Sequence, residues 1–353
     1  IKSFKFSKGS VINMQKTDEK VSGYLDARNS HFSILQFQFK VLIAFKVLIT
    51  ASMLIIGSLL LVNQQLNIGQ FIAAEIVIIS IIASVEKLIG NLDSVYDVLT
   101  SVDKIAKITD KPVETSGSYI LPEKREGLSV EAEKVSFAYD DEKYVLKDAS
   151  FRIDAGETVC ITGKEGSGKS TLLKLVSGSY QGFEGSLLLN RLPVGNYELK
   201  SLREQTGILL NQQDIFHGSL LENITMGQPG IDLQQVIRLF GEVGLANFLG
   251  TLPQGFDTWL DPTGKRLSRN VVNKILLVRA LVGQPRLLLL EEPWTHIEEP
   301  FRSRIIRLLL NDYPHTTILV VSADPEFTSR CSKVIDVNCD GCIVKTNKSS
   351  NHE

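Results

Sequence analysis

Residues 163–170 read Gly-Lys-Glu-Gly-Ser-Gly-Lys-Ser and fit the pattern G-x-x-x-x-G-K-[ST]. The glycines allow the backbone to turn tightly and to point successive N–H groups into one concavity that can hold phosphate oxygens. Lys169 can reach the outer phosphates of a nucleotide, and the hydroxyl of Ser170 can ligate Mg²⁺. This stretch therefore predicts a loop that binds a nucleotide polyphosphate together with magnesium.

The segments on either side of the loop fit the same interpretation. Residues 157–162 are rich in β-formers, and residues 171–176 place apolar side chains at helical spacing. A strand, a loop and a helix in this order put phosphates at a helix N-terminus. From Leu128 onward, candidate strands alternate with candidate helices, which predicts an α/β P-loop domain with a substantially parallel sheet.

Length, charge and cysteine spacing bear on the number of domains, on binding to nucleic acid and on binding of zinc. The chain has 353 residues and a formal net charge of −2. The length favours two domains, and the charge gives no electrostatic basis for a nucleic-acid partner. Cys339 and Cys342 form one close pair, whereas a structural zinc site usually needs two. Asp340-Gly341 between them is a strong hairpin turn, so we expect no metal there.

Two apolar stretches precede the α/β domain, at about residues 41–62 and 68–89. The first is about 22 residues long, or roughly 33 Å of helix, enough to cross a bilayer. The loop between them has no Lys or Arg, whereas Lys40, Lys46 and Lys87 lie toward the other ends. This bias places the outer ends of a two-helix hairpin in the cytoplasm.

Glu75 is a charged residue within the second apolar stretch, and two interpretations of it stay open. It either lines a polar cavity used by a substrate or lies close enough to the loop to reach the headgroup region. Residues 84–110 continue as one charged amphipathic helix toward the soluble domain. We divide the chain into a membrane part at 1–110, a linker at 111–127, the α/β domain at 128–345 and a polar tail at 346–353.

Further motifs occur in a characteristic order. Tyr139 lies upstream of the loop; downstream come Phe216–Ile224 (FHGSLLENI), Leu252–Thr258 (LPQGFDT), Arg279-Ala280-Leu281 and four leucines followed by Glu291-Glu292-Pro293. This order resembles the ABC transporter superfamily, in particular the exporter-type half-transporter that joins membrane helices to one ATP-binding cassette. The resemblance makes residues 128–345 the cassette and residues 1–110 the last two of six membrane helices, so we expect a longer protein.

The resemblance implies a site for ATP and Mg²⁺. Tyr139 would stack on adenine, and Glu292 would polarise the attacking water. Ser170 would hold Mg²⁺ with Glu291, which occupies a position where the family normally has Asp. The glutamine-loop residue is left open among Asn211, Gln212 and Gln213. The expected ATP-binding residues are Tyr139, Gly163, Lys164, Glu165, Gly166, Ser167, Gly168, Lys169, Ser170, Thr171 and Gln212.

Two further motifs depart from the family. The signature Leu-Ser-Gly-Gly-Gln is replaced by Leu267-Ser268-Arg269-Asn270-Val271, which would contact the ATP of a partner cassette. Ala323 stands where a histidine normally contacts the γ-phosphate. These changes weaken contacts to both composite ATP sites of a dimer, so we expect good ATP binding with slow or partner-dependent turnover. Trp294, beside the site, is expected to pack at the dimer interface or to fill the core.

The resemblance as a whole predicts an ATP-hydrolysing subunit of an exporter. ATP-driven dimerisation with a second half-transporter, identical or different, would drive export of an unknown substrate. The chain would be integral to the cell or inner membrane, with its cassette facing the cytoplasm. The alternative is a catalytically weak nucleotide-binding regulatory subunit paired with a more complete partner.

Overall fold

A computed structural model describes residues 11–124, 126–139, 143–211, 213–261, 267–295 and 297–338. It also gives the backbone of residues 341–346 and, within a helix, that of Asp93. The chain divides into two compact units, Ile1–Val113 and Glu114–Glu353. The boundary between the units falls inside the segment that was predicted to be a linker.

The first unit contains three helices, α1 (Ile12–Val62), α2 (Ile68–Gly90) and α3 (Leu92–Thr109). Two helical stretches, Ile12–Val62 and Ile68–Thr109, are long and apolar enough to cross a membrane. Helix α1 begins far before the predicted span at 41–62, and the largely polar residues 12–40 form its first part. The prediction of one continuous helix over 84–110 is wrong in one respect, since the helix is interrupted at Asn91, a weak helix former that follows Gly90.

Helices α1 and α2 pack against each other as a hairpin. The ring of Phe71 lies against Gly57, where an added Cβ would come within 2.3 Å of a ring carbon. Asn67 begins α2 with a capping box, accepting from the Gln70 N–H at 2.8 Å. Lys46 and Glu86 form an ion pair at 2.9 Å, so two charges within largely apolar helices offset each other.

The second unit begins with a segment that lies on the cassette. Glu114 pairs with Arg203 at 2.8 Å, the Gly117 N–H donates to the Tyr197 carbonyl at 2.9 Å, and Leu121 is buried. Residues 114–121 therefore belong to the cassette surface. Sequence composition did not indicate this, because their partners lie about 80 residues further along the chain.

The cassette alternates strands and helices as expected. Its main sheet has six strands in the order β12-β11-β3-β10-β9-β6, in which only the edge strand β12 is antiparallel. A second, antiparallel sheet has the order β2-β1-β4-β5, and β7 pairs with β8.

The strands of the cassette are β1 (Val130–Ala138), β2 (Tyr144–Ile153), β3 (Thr158–Thr162), β4 (Glu184–Leu189), β5 (Leu192–Pro193), β6 (Thr206–Leu209), β7 (Gly218–Ser219), β8 (Trp259–Leu260), β9 (Leu287–Glu291), β10 (Thr317–Val321), β11 (Lys333–Asn338) and β12 (Gly341–Thr346). Its helices are α4 (Lys169–Val176), α5 (Leu199–Glu204), α6 (Leu220–Thr225), α7 (Leu233–Glu242), α8 (Ala246–Gly250), α9 (Arg269–Leu281), α10 (Phe301–Asn311) and α11 (Pro325–Arg330).

The central strands are buried on both faces. Every residue of β9 and β10 is buried, and the register pairs Val320 with Leu290 on one side and with Cys160 on the other. Leu288 and Leu290 pack into one hydrophobic cluster, while Leu287 and Leu289 pack into another on the opposite face. Because β3, β9 and β10 are parallel, the residues that follow them meet at one edge of the sheet.

Candidate nucleotide-binding site

The loop after β3 needs glycine at two positions, because at each of them the backbone has a positive φ and a side chain would collide with a carbonyl oxygen. Gly163 has φ +138°, and an added Cβ would lie 2.2 Å from the Val337 carbonyl oxygen. Gly168 has φ +91°, and its Cβ would lie 2.7 Å from the Val145 carbonyl oxygen. Helix α4 begins at the next residue, so the loop presents backbone N–H groups at a helix N-terminus.

Lys169 lies across this loop. Its Nζ donates to the carbonyl oxygens of Gly163 at 2.8 Å and Lys164 at 2.6 Å. The Oγ of Ser167 is buried and has no hydrogen-bond partner among the described residues. An ammonium group and an unpaired buried hydroxyl thus face a loop of N–H donors, which suits the oxygens of a phosphate.

Ser170 and Glu291 meet as the sequence predicted. The Ser170 hydroxyl donates to one carboxylate oxygen of Glu291, and the other oxygen accepts from the Asn211 backbone N–H at 3.0 Å. Glu291 ends the buried strand β9 and is only 8% exposed. A carboxylate and a hydroxyl side by side are hard oxygen ligands of the kind that Mg²⁺ prefers.

Glu292 follows directly, in a backbone conformation that turns it away from the strand. Its φ is +45°, and its N–H donates to the Val321 carbonyl oxygen at 2.9 Å. Burial raises the pKa of the Glu292 carboxyl, while a hydrogen bond from Ser322 and the charge of Lys169 act in the opposite direction. The pKa of this carboxyl therefore lies above its ordinary value.

A cavity of about 210 Å³ opens beside the two carboxylates. Asn211 and Gln213 both line it, together with Arg269 and Asn273 of helix α9. The Oε1 of Gln213 is buried without a hydrogen-bond partner in the part of the chain that the structure describes. Gln212, which is one of the three candidates for the glutamine loop and is counted among the expected ATP-binding residues, lies outside the described residues, so the choice among the three stays a prediction.

Tyr139 lies at the other end of the loop. Its hydroxyl is 2.9 Å from the Thr171 Oγ1, and its ring is about half exposed. The rings of Phe137 and Tyr180 meet it edge-on, with centroids 5.2 and 5.4 Å away. The ring is thus oriented by its neighbours, with surface left for stacking.

The signature segment begins helix α9. Ser268 caps this helix, accepting from the Val271 N–H at 3.3 Å, and Leu267 packs against the core. Arg269 pairs with Asp214 of the same chain at 3.3 Å. The Oδ1 of Asn270 is buried and unpaired among the described residues.

Ser322 and Trp294 form a contact that the sequence analysis missed. The indole Nε1 of Trp294 donates to the Ser322 Oγ at 3.1 Å, and the ring packs on Phe327 with centroids 5.1 Å apart. Trp294 is 7% exposed within this chain, so of the two expectations it fulfils the core-filling one. Ala323 is exposed next to it and offers no hydrogen-bonding side chain.

The close cysteine pair of the sequence cannot be placed, since Cys339, Asp340 and the side chain of Cys342 lie outside the described residues. Within the described residues, no group of three or more His, Cys, Asp or Glu side chains could hold a metal ion. The Ser170–Glu291 pair differs from such a group, because most ligands of Mg²⁺ in nucleotide sites come from substrate phosphates and water.

The fold and the site together define a P-loop nucleotide-binding domain that follows helices able to cross a membrane. Residues 146–295 match the family model described as ABC transporter. We therefore assign residues 146–295 to the ABC transporter family, as its ATP-binding domain.

Curated relatives agree with this assignment. The alpha-hemolysin translocation ATP-binding protein HlyB of Escherichia coli O157:H7 is 28% identical over 77% of this chain and 38% of that protein. The putative multidrug export ATP-binding/permease protein YgaD of Bacillus subtilis is 32% identical over 59% of this chain and 36% of that protein. The chain thus spans less than half the length of these relatives.

A solved structure of a bacterial Atm1-family ABC exporter with ATP bound shares the fold. The TM-score is 0.83 at 21% sequence identity, and the match covers 98% of this chain and 61% of that chain. This likeness supports the fold class predicted from the sequence, an α-helical membrane segment followed by an α/β cassette.

Proposed function

We propose that this chain is the ATP-binding and ATP-hydrolysing part of an exporter-type ABC half-transporter with attenuated hydrolysis. The observation that carries the proposal is the meeting of Lys169, the Ser170–Glu291 pair and Glu292 at one edge of the sheet. These groups are a phosphate-binding cation, a magnesium-binding pair and a carboxylate able to orient water.

The loop amides and Lys169 bind the phosphates of the substrate ATP, and the exposed ring of Tyr139 packs against its base. Ser170 and Glu291 would hold Mg²⁺, which would supply positive charge to neutralise the phosphates. The buried hydroxyl of Ser167 and the steric demand at Gly163 fit a loop shaped around phosphate oxygens. The added methylene of Glu291, relative to Asp, leaves its carboxylate within reach of Ser170.

Glu292 orients the attacking water and accepts its proton. A carboxylate is a more effective base when its pKa is raised toward neutrality, and burial acts in that direction here. The left-handed backbone conformation of Glu292 directs its side chain away from the direction of strand β9.

Hydrolysis is attenuated because two contacts to the γ-phosphate are weak. Ala323 carries no donor, and each lost donor of this kind costs on the order of 10²–10³ in rate. Arg269 is bulkier than the glycine of the family motif, and it is engaged by Asp214 of its own chain. Val271 replaces the amide side chain at the end of the signature.

The proposed assembly is a pair of half-transporters, identical or different, in a lipid bilayer. Helices α1 and α2 lie in the cell or inner membrane, and the cassette faces the cytoplasm. Closure of the two cassettes around ATP is coupled to export of a substrate across the membrane. The names of the relatives refer to alpha-hemolysin translocation and to multidrug export, so the proposal commits to export and leaves the substrate class open.

A second candidate is a regulatory subunit that closes on ATP and scarcely hydrolyses it. The observation in its favour is that Ala323, Arg269 and Val271 occur on one chain, so both sites of a homodimer would be weakened. Under this alternative, turnover comes from a partner whose motifs are complete.

Steady-state hydrolysis of Mg·ATP by the full chain in lipid tests the proposal. Glu292→Gln should lower turnover by about 10²-fold or more while ATP affinity stays within about twofold. Glu204→Gln, an exposed carboxylate on α5, is the matched control and should change neither quantity. Equal turnover in wild type and Glu292→Gln would overturn the proposal, and tight binding with no turnover in either would favour the regulatory subunit.

A further inference from the structure

The hydroxyl of Ser322 is the meeting point of three groups at the end of β10. Its oxygen accepts from the Trp294 Nε1 and from the Asp324 backbone N–H, each at 3.1 Å. The hydroxyl donates to the Glu292 Oε2, and the two oxygens are 3.5 Å apart. A hydroxyl has one donor and two acceptor lone pairs, so two incoming donors leave its hydrogen free to donate, and among the described residues its acceptor is the Glu292 carboxylate.

The backbone of Ser322 is also fixed. Its N–H donates to the Ile161 carbonyl oxygen at 3.2 Å, and its carbonyl oxygen accepts from the Cys160 thiol at 3.4 Å. Ser322 is 3% exposed, and Trp294 is held by Phe327. The hydroxyl therefore has a defined position and a defined direction, which is the requirement for orienting a neighbouring group.

We propose that Ser322 is a positioning residue for hydrolysis, whose hydroxyl, oriented by Trp294 and Asp324, holds the Glu292 carboxylate toward the attacking water. This inference rests on the proposed function, because it assigns a task to Ser322 only if Glu292 acts on water. At 3.5 Å the bond is long in the free chain, and such bonds shorten when the substrate complex forms.

Other charged groups surround the carboxylate and could position it instead. Lys169, Glu291 and Asp324 all influence Glu292 electrostatically. Arg302 binds Asp324, donating from Nε at 2.7 Å, and Arg269 lines the same cavity. Ser322 differs from all of them because, among the described residues, its hydroxyl alone donates a hydrogen bond to the Glu292 side chain.

Kinetics on the full chain in lipid provide the first half of the test. Ser322→Ala should lower kcat by about tenfold with the KM for ATP within about twofold, because ATP binding does not use this hydroxyl. Ser322→Thr retains the hydroxyl and should restore kcat to within about threefold of wild type. Trp294→Phe keeps an aromatic ring for Phe327 but removes the donor, so kcat should fall in the same direction.

The second half of the test measures, by NMR and without turnover, whether a change at Glu292 reaches Trp294 through Ser322. The chain has two tryptophans, so ¹⁵N-tryptophan labelling gives two indole signals, with the exposed Trp259 as internal reference. Glu292→Gln should shift the Trp294 indole signal when Ser322 is present and leave it unchanged in the Ser322→Ala background. Melting temperatures of all variants identify any that fail to fold.

The outcomes separate this inference from the proposed function. Turnover that survives Glu292→Gln would contradict the proposed function itself. If Glu292→Gln abolishes turnover but Ser322→Ala leaves kcat unchanged, only the positioning role is wrong. An indole shift that persists in the Ser322→Ala background would also overturn the role, even in a chain that hydrolyses ATP too slowly to assay.

Discussion

Gly163 and Gly166 belong to the same loop and both have positive φ, yet their surroundings differ. A Cβ on Gly163 would collide with the Val337 carbonyl oxygen, whereas one on Gly166 would meet nothing within 4 Å. Gly163→Ala should destabilise the fold by about 2 kcal/mol and abolish ATP binding, because the backbone must move. Gly166→Ala should cost about 1 kcal/mol, from its left-handed φ alone. Thermal melting with ATP titration measures both, and equal effects would contradict the steric account.

Lys169 allows a second residue-scale prediction. Lys169→Ala removes the cation that now bonds to the Gly163 and Lys164 carbonyl oxygens, so the affinity for Mg·ATP should fall by about tenfold or more. Lys174→Ala, in the same helix, removes a cation that lies 5.6 Å from the Tyr180 ring centroid and should leave affinity within about twofold. Equilibrium binding of Mg·ATP to the two variants tests this prediction. Equal losses of affinity in both would show that Lys169 acts only through overall charge.

Contacts between residues of two motifs were predictable from the sequence, whereas contacts formed only by strand pairing were not. Ser170 and Glu291, which were predicted to share Mg²⁺, lie in contact, because each stands at a fixed place in a motif next to a strand end. The contact of Trp294 with Ser322 was missed because 28 residues separate them, and they meet only through the pairing of β9 with β10. The choice among Asn211, Gln212 and Gln213 depends on a turn whose conformation no local pattern specifies.

At the scale of elements, the packing of α1 on α2 depends on Gly57. Gly57→Ala should weaken the hairpin by about 1–3 kcal/mol, because its Cβ would collide with the Phe71 ring. Gly90→Ala, also a helical glycine but with nothing within 4 Å, should be neutral or mildly stabilising. Limited proteolysis in lipid reports hairpin opening. Adding Phe71→Ala should relieve the defect of Gly57→Ala, and a purely additive double variant would contradict the assigned contact.

The stability of helix α9 depends on its N-cap residue, Ser268. Ser268→Ala removes the acceptor for the Val271 N–H and should lower the free energy of unfolding of the cassette by about 1 kcal/mol, whereas Ser268→Asp retains an acceptor and should lose much less. Melting temperatures of the two variants test this prediction. A drop of the same size in both would mean that packing, not capping, determines the contribution of Ser268.

Elements were predicted well where apolar periodicity is strong and less well where it is absent. The buried strands β9 and β10 follow from unbroken apolar runs. The polar first half of α1 has no such signal, and neither do the break at Asn91 and the cassette contacts of residues 114–121. These features depend on helix continuity and on distant partners, which composition does not encode.

At the scale of the whole molecule, two units carry two separable tasks. The first offers helices able to cross a membrane, and the second offers a nucleotide site built from three neighbouring strands. The match of residues 146–295 to the ABC transporter family was predictable from motif order alone, because the spacing of the motifs reflects the order of strands and loops in the domain. Turnover is less predictable, since under the proposed function it depends on a partner cassette that would face the signature segment.

In the proposed function, this chain hydrolyses ATP slowly, through Glu292. Single-turnover hydrolysis of Mg·ATP by the full chain in lipid tests it most directly, comparing wild type with Glu292→Gln and Ala323→His. We predict a wild-type rate that is low but clearly above that of Glu292→Gln, and a rise of about tenfold or more in Ala323→His, which restores a γ-phosphate donor. A wild-type rate equal to that of Glu292→Gln, with ATP tightly bound in both, would contradict the account.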